Sequence, residues 1–397
     1  MADHDLVVRG GTVVDGTGAE RRTADVAVDD GRVTVVGDVP GAGREELDAD
    51  GLLVTPGWVD VHTHYDGQVT WDPILAPSAP QGVTTVVMGN CGVGFAPVKP
   101  DRHEWLIALM EGVEDIPGTA LAEGISWGWE SFPEYLDVLE AIPHTVDVAA
   151  QFPHAALRGY VMGDRGADHA EVPTRDEVAT MAGLVAEGVR AGALGFTTSR
   201  TVNHRSADGR PTPSLTATSD ELVGIARGLG STGLGVLQLV ADLVDLDAEW
   251  ALIRSMAEAS GRPLSITTLS EPHRGDWRAL LDRISEAQAD GLAIRGQVAS
   301  RPVGVLMGLE GRLHPLVGSA TYQSLAGLPL AERVARLQEP TVRAAVLGEL
   351  ADGGLVFGSW DGIFPLGDPP DYDPGAERSI TALAARDGVA PVEAAYD

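Results

Sequence analysis

Two histidines one residue apart, His62 and His64, follow an apolar segment (residues 57–61) with the composition of a β-strand. Alternate side chains of an extended strand point to the same side, so both imidazoles would face one surface. Two converging imidazoles are typical ligands of zinc and similar divalent cations. Two ordinary surface histidines are the alternative. The Pro-Gly start of the segment and the β-rich region before it favour a metal site.

The single cysteine of the chain, Cys91, follows the next predicted strand, residues 83–88. Glycines on both sides of it allow close approach of the backbone, as at the mouth of a site. A thiolate there could bind or bridge metal ions held by the two histidines, whereas a buried structural cysteine is the alternative. One cysteine excludes an intrachain disulfide, which fits a reducing cytoplasm.

Four polar side chains that follow the third and fourth predicted strands are candidates for contacting substrate or supporting the ligands: His154, Arg158, Arg200 and His204. His154 could serve as a ligand, a proton shuttle or a substrate contact, or be hydrogen-bonded within its loop. The guanidinium of Arg200 could bind a substrate carboxylate. A solvated loop is the alternative for that segment.

Two kinds of pattern describe the elements that must position these residues. Residues 5–56 contain short strands and turns, which predicts a small antiparallel β module. From residue 57, strand-like and helix-like segments alternate, which predicts a parallel sheet in a barrel or a doubly wound fold. The predicted strands are 57–61, 83–88, 146–152, 193–198, 235–240, 264–269 and 293–298, and the predicted helices include 176–190, 219–229, 247–260 and 277–290.

Charge and length restrict the classes of partner. The 397 residues include 28 Lys and Arg against 58 Asp and Glu, a formal net charge of −30. Nucleic acids and anionic membranes bind basic surfaces, so this balance argues against both. The acidic start of the chain lacks the features of a secretory signal, and no long apolar run predicts a membrane span. These observations predict a cytoplasmic protein.

The C-terminal part of the sequence has a different composition. Residues 353–375 are rich in Gly, Pro and Asp and predict a long surface insertion. Helix-like segments follow at residues 379–383 and from residue 390 onward. Seven predicted strands follow the β module, whereas a (β/α)₈ barrel has eight. We therefore expect a chain that lacks its C-terminal part.

Several motifs together resemble the amidohydrolase superfamily, and more closely the N-acyl-D-amino-acid deacylase (D-aminoacylase) family. The motifs are residues 62–66 (HTHYD), 89–92 (GNCG), 153–158 (PHAALR), 192–199 (GALGFTTS) and 379–397. The resemblance implies an α/β fold: a TIM-type (β/α)₈ barrel over residues 57–397, its eighth strand missing, and an N-terminal β-sandwich half over residues 1–56. It further implies zinc, as one or two divalent ions, held by His62, His64 and Cys91.

The resemblance also implies a strand-eight aspartate as general base, which we expect beyond residue 397. Metal-binding histidines of strands five and six are expected near Gln238 and Thr268, where this sequence has none. His273 is a poor positional substitute, and Asp361 within the predicted insertion is a poor candidate for the base. Lys99, the only lysine, lies in a Pro-rich loop, which argues against a carbamylated lysine and favours Cys91 as the bridge.

The predicted function is hydrolysis of carbon–nitrogen bonds in N-acyl-D-amino acids by metal-activated water. One alternative is a non-catalytic relative that binds a ligand, since two metal-binding histidines are missing. Another is a hydrolase of cyclic amides, such as hydantoin-like or dihydropyrimidine-like rings. The predicted partner is a small molecule, without nucleic acid or membrane, and the chain is a possible homo-oligomer.

Overall fold

The computed structural model describes residues 2–114, 116–267, 277–299, 304–311, 314–351 and 359–397. It divides into two compact units, which are described separately. The first contains Met1–Thr268 and Arg278–Gln297, and the second contains Leu269–Trp277 and Val298–Asp397.

The first unit begins with a five-stranded sheet: β1 (His4–Val13), β2 (Arg22–Asp29), β3 (Arg32–Gly37), β4 (Gly43–Asp48) and β5 (Leu53–Val54). Strands β1, β2 and β3 pair antiparallel. Strands β4 and β5 pair parallel to β1, so the prediction of an antiparallel module was wrong for these pairings. After β3 the chain crosses to the free edge of β1, and this crossover sets the direction of β4.

Within the described residues, eight short strands follow, and every pairing among them is parallel. One sheet has the order β6-β7-β8 and the other has the order β13-β12-β11-β10-β9. This arrangement confirms an α/β fold with parallel sheets. The strands are β6 (Trp58–Asp60), β7 (Val83–Met88), β8 (Asp147–Ala150), β9 (Phe152–Pro153), β10 (Gly195–Arg200), β11 (Val236–Ala241), β12 (Leu264–Thr267) and β13 (Ile294–Gln297).

The strand predicted at 146–152 is divided at Gln151, because its two halves pair with different neighbours. Strand β8 pairs with β7, and β9 pairs with β10. The amide of Gln151 donates to the carbonyl of Met88 at 2.9 Å, and the amide of Leu194 donates to the carbonyl of Ala150 at 2.8 Å. Backbone hydrogen bonds therefore continue across the division.

Helices lie between the parallel strands of this unit, and the four predicted helices are present with bounds that differ by at most one residue at either end. Thr174 and Thr218 cap two of them by accepting hydrogen bonds from the amides of Glu177 and Glu221. The helices are α1 (His103–Glu114), α2 (Gly118–Gly124), α3 (Phe132–Glu140), α4 (His154–Met162), α5 (Arg175–Ala191), α6 (Ser219–Gly230), α7 (Leu246–Ser260) and α8 (Trp277–Ala289).

The second unit is helical where it is described. Its helices are α9 (Ala320–Leu325), α10 (Leu330–Leu337), α11 (Pro340–Ala351), α12 (Ile380–Asp387) and α13 (Pro391–Tyr396). Its small core includes Leu316, Tyr322 and Val346. Residues 353–358 of the predicted insertion lie outside the described residues, and most of 359–375 is exposed or half-buried. Among the described helices, none has the length and apolar character needed to cross a bilayer.

Candidate functional site

The first two parallel strands of the first unit bring three metal-binding side chains together. His62 and His64 follow β6, and Cys91 follows β7. His62 Nε2 lies 3.2 Å from Cys91 Sγ, and one donor atom from each of the three residues lies within 4.8 Å of the other two. The carboxyl ends of neighbouring parallel strands lie at one edge of their sheet, and this shared edge explains the convergence.

A tight turn fixes the position of the Cys91 thiol. Cys91 has a φ of +56°, a conformation that costs a non-glycine residue free energy and is seen where surrounding contacts enforce it. Its amide donates to Gln238 Oε1 at 3.3 Å, and the amide of Gly92 donates to Thr197 Oγ1 at 3.0 Å. A Cβ at Gly89 would lie 2.2 Å from the carbonyl oxygen of Gln151, so this turn requires glycine there.

Two further side chains join the trio. Glu114, the last residue of α1, places Oε1 3.3 Å from His64 Nδ1. Donor atoms of Cys91, Glu114 and His204 also lie within 4.8 Å of one another. His204 was a sequence candidate, whereas Glu114 was missed because nothing in its local sequence distinguishes it from an ordinary helix-end carboxylate.

Burial dominates the electrostatics of this cluster. It lowers the pKa of His64 to about 3, with a smaller contribution from His62. It lowers the pKa of His204 to about 4, although the charge of Glu114 opposes the shift. Both imidazoles are therefore neutral at pH 7, which is the form that binds metal.

The acidic members of the cluster respond in the opposite direction. Burial raises the pKa of the Cys91 thiol well above its ordinary value, and the carboxylates of Glu114 and Asp66 raise it further. Burial likewise raises the pKa of Asp66. Asp66 Oδ2 and His64 Nδ1 are buried without a hydrogen bond among the described residues. A cation would supply a partner for such atoms and stabilise the thiolate, so the donor set fits a zinc-type metal.

The later strands carry amide and hydroxyl side chains that contact these residues or one another. Gln238 on β11 accepts from the Cys91 amide and donates through Nε2 to Thr267 Oγ1 at 3.4 Å. Gln297 on β13 accepts from His62 Nδ1 at 3.1 Å, which presents Nε2 of that ring toward the thiol. These contacts therefore orient the His62 ring and the Cys91 turn. Thr268, near which a metal-binding histidine was expected, and His273, its poor positional substitute, lie outside the described residues.

His154 and Arg158 meet in a fully buried ion cluster with Glu221 of α6. His154 Nε2 donates to Glu221 Oε1 at 3.0 Å, and Thr198 Oγ1 donates to His154 Nδ1 at 2.8 Å. Arg158 Nη1 donates to both carboxylate oxygens of Glu221, at 2.6 and 2.7 Å. These bonds tie α4, β10 and α6 together, so both side chains contribute to the packing of these elements.

Other sequence candidates also have protein partners. Arg200 makes two 2.8 Å hydrogen bonds to the carboxylate of Glu249, which a substrate carboxylate would have to displace. Lys99 Nζ lies 5.6 Å from the ring centroid of Tyr160. Asp361, in the second unit, is exposed and accepts a hydrogen bond from Ser359 Oγ at 3.0 Å.

Comparison with known proteins gives consistent results. A D-aminoacylase of Alcaligenes xylosoxydans xylosoxydans is 34% identical over 230 residues, which is 58% of this chain and 43% of that protein. A solved D-aminoacylase with a binuclear metal centre shares 28% identity at a TM-score of 0.59, covering 74% of this chain and 58% of that one. The N-acyl-D-glutamate deacylase of Bordetella bronchiseptica, solved with zinc and a phosphonate that mimics the tetrahedral intermediate, shares 25% identity at a TM-score of 0.60, covering 99% and 69%.

The chain spans about half the length of the curated relatives it matches. The model of the amidohydrolase family matches residues 45–352, which include the β6 histidines, Cys91, Glu114 and His204. This match covers well over half of the 397 residues, and the chain belongs to the amidohydrolase family.

Proposed function

We propose that this chain forms the metal-binding part of a hydrolase that cleaves N-acyl-D-amino acids into a carboxylate and a free D-amino acid. The observation that carries the proposal is the convergence of His62, His64 and Cys91 at the ends of β6 and β7. Relatives named D-aminoacylase and N-acyl-D-aspartate deacylase support the substrate class. The net charge of −30 favours a small-molecule substrate over a nucleic acid.

The proposed metal is zinc, held by His62, His64 and Cys91. A bound zinc ion would polarise the amide carbonyl and lower the pKa of a water molecule at the site. Gln297 orients the His62 ring by accepting a hydrogen bond from its Nδ1, and Gln238 accepts one from the Cys91 backbone amide. His64 has its Nδ1 3.3 Å from Glu114 Oε1, so this carboxylate lies beside the proposed metal site.

For the fold, we propose that the two parallel sheets of the first unit are parts of one (β/α)₈-type barrel. The hydrogen bonds from Gln151 to Met88 and from Leu194 to Ala150 support this proposal, because they continue the pairing between the sheets. The division into a β-sandwich half at residues 1–56 and a barrel from residue 57, with an aspartate after an eighth strand, remains a prediction. A cytoplasmic location is proposed from the free thiol of Cys91, and a homo-oligomer remains a prediction.

Amine release from N-acetyl-D-amino acids and their L-enantiomers, together with ring opening of hydantoin-type compounds followed by chromatography, tests the substrate class. The assay uses the whole native protein, before and after removal of zinc by a chelator. We expect release from the D-enantiomers that zinc restores after chelation. Turnover of the cyclic amides alone would favour the cyclic-amide alternative, and zinc binding without turnover of any of these compounds would favour the non-catalytic one.

A further inference from the structure

We propose that Thr197 on β10 is a positioning residue, which holds the turn of residues 89–92 closed and so fixes the Cys91 thiol at the proposed metal site. The hydroxyl of Thr197 bonds to both ends of this turn. It accepts a hydrogen bond from the amide of Gly92 at 3.0 Å and donates one to the carbonyl of Gly89. The inference rests on the proposed function only because it takes Cys91 as a metal ligand.

The backbone of the turn has a conformation that must be enforced by its surroundings. Gly89, Cys91 and Gly92 have φ values of +79°, +56° and +68°, so three of its four residues lie in the left-handed region. Cys91 differs from the two glycines because it has a Cβ, which makes this conformation unfavourable. Such a residue keeps its conformation where neighbouring contacts hold it. We therefore expect the turn to relax, and the thiol to move, when the contacts at its ends are lost.

The pairing of the strands brings Thr197 to the turn. Thr197 and Gln238 are register partners on the parallel strands β10 and β11, so their side chains project to the same side of the sheet. Gln238 contacts the amide of Cys91 within the turn, whereas Thr197 bonds to its two ends. A Cβ at Gly92 would lie 2.9 Å from Thr198 Cα, so the turn packs directly on the backbone of β10.

Burial makes the Thr197 hydroxyl hard to replace. Thr197 has no exposed surface, and Gly92 is buried as well. A buried amide or carbonyl that loses its partner cannot bond to water instead, which makes the loss unfavourable. Thr197→Val keeps the shape of the side chain and removes both hydrogen bonds, whereas Thr197→Ser keeps the hydroxyl and removes only the methyl group. This pair of variants separates hydrogen bonding from packing.

The thiol of Cys91 reports on the turn, because it is buried and the chain has no other cysteine. The test measures the rate at which a thiol-specific disulfide reagent labels the metal-free full chain at several low urea concentrations. That rate follows the population of chains in which the turn is open. We expect Thr197→Val to label roughly tenfold faster than the wild type. The rate should depend little on urea, as for a local opening that exposes little surface, and Thr197→Ser should label at the wild-type rate.

Thr198→Val is the matched control. Thr198 is the next residue on β10 and is equally buried, but its hydroxyl bonds to His154 instead of the turn. This variant should lose stability without faster labelling at low urea. Labelling of Thr197→Val at the wild-type rate would overturn the proposal, and so would equally fast labelling of Thr197→Ser or Thr198→Val.

Zinc affinity is the second measurement, made by competition with a chromophoric chelator. Thr197→Val should bind zinc about 10–100-fold more weakly than the wild type, and Thr197→Ser should bind it with wild-type affinity. Unchanged affinity in Thr197→Val would refute the positioning role. A wild-type chain that binds no zinc, in a protein where Thr197→Val still labels faster, would retain the role of Thr197 in the turn and refute the proposed function.

Hydrogen exchange of the wild-type chain tests the same contact if Thr197→Val does not fold. The amide of Gly92 should exchange as slowly as the amides of β10, because its hydrogen bond to Thr197 is buried. Fast exchange of the Gly92 amide in the folded wild-type chain would overturn the proposal.

Discussion

Gln238 Oε1 accepts a hydrogen bond from the backbone amide of Cys91 at 3.3 Å, and both residues are buried. Gln238 lies on β11, where the family resemblance implies a metal-binding histidine. In this chain the residue at that position instead hydrogen-bonds the backbone of Cys91, a proposed ligand. The loss of a histidine therefore does not by itself mean that the metal centre is lost.

This relationship predicts that Gln238→Ala weakens zinc binding although Gln238 is not a proposed ligand. Loss of a partner that orients a ligand typically costs about 10–100-fold in metal affinity. Gln238→Glu is the matched variant, because it keeps an acceptor for the Cys91 amide. Competition with a chromophoric chelator measures both affinities. Equal affinity in Gln238→Ala and wild type would show that the hydrogen bond is unimportant for the metal.

Replacing the thiol tests the role of Cys91 directly. Cys91→Ser keeps the size of the side chain but removes the soft sulfur ligand, so we expect zinc affinity to fall by more than about tenfold. Met88→Leu, a buried substitution of similar volume at the end of β7, serves as the control and should leave zinc content unchanged. If Cys91→Ser retained wild-type zinc content, the cysteine would be a structural residue.

The ion cluster of His154, Arg158 and Glu221 predicts a large stability effect. Glu221→Gln leaves the buried Arg158 charge without its counter-ion, which typically costs about 3–5 kcal/mol of unfolding free energy. Glu258→Gln breaks the exposed pair with Arg254 and should cost less than about 1 kcal/mol. Chemical denaturation measures both values. Similar losses in the two variants would contradict the assignment of the cluster to the scaffold.

The same cluster predicts how stability depends on pH. Burial lowers the pKa of His154 below its ordinary 6.5, although Glu221 opposes the shift. As the pH falls, His154 is protonated in the unfolded chain before it is protonated in the folded chain. The free energy of unfolding therefore keeps its full contribution from this residue above pH 6.5 and declines as the pH falls below that value. For Glu221, burial raises the pKa, but His154 and Arg158 outweigh it and lower the pKa below 4.5. This adds a second loss of stability below pH 4.5.

Denaturation at a series of pH values between 7.5 and 5 measures the first of these losses. His154→Gln keeps a hydrogen-bonding side chain but cannot titrate, so its stability should vary less over that window than that of the wild type. Each pKa unit of difference corresponds to about 1.4 kcal/mol. Identical pH profiles for the two proteins would show that His154 does not titrate differently on folding.

Several features could be predicted from sequence because they follow from local rules. The positions of β6 and β7 were clear from their apolar segments, and the shared edge of parallel strands brought His62, His64 and Cys91 together. The direction of β4 was not predictable, because alternating side chains indicate that a segment is a strand but do not indicate which strand it pairs with. The division of the predicted strand 146–152 at Gln151 was not predictable either, because it depends on the two halves pairing with different strands.

The side chains that complete the site depend on contacts between distant segments. Glu114 reaches the cluster from the end of α1, and its surrounding sequence has no motif. His154 and Arg158 were candidates for contacting substrate or supporting the ligands, and their pairing with Glu221 on α6 in the core could not be predicted from the local sequence. The contact of Gln238 with the Cys91 turn could not be predicted, because the two residues are far apart in sequence and meet only in the folded chain.

The most direct test of the metal site is the zinc content of the purified protein, measured by elemental analysis in the wild type and in His62→Ala. Circular dichroism spectra of the two proteins establish that both are folded. The site described above predicts at least one equivalent of zinc per wild-type chain and at least one equivalent fewer in His62→Ala. Equal zinc content in the two folded proteins, or a wild-type chain that binds no zinc when it is supplied, would contradict it.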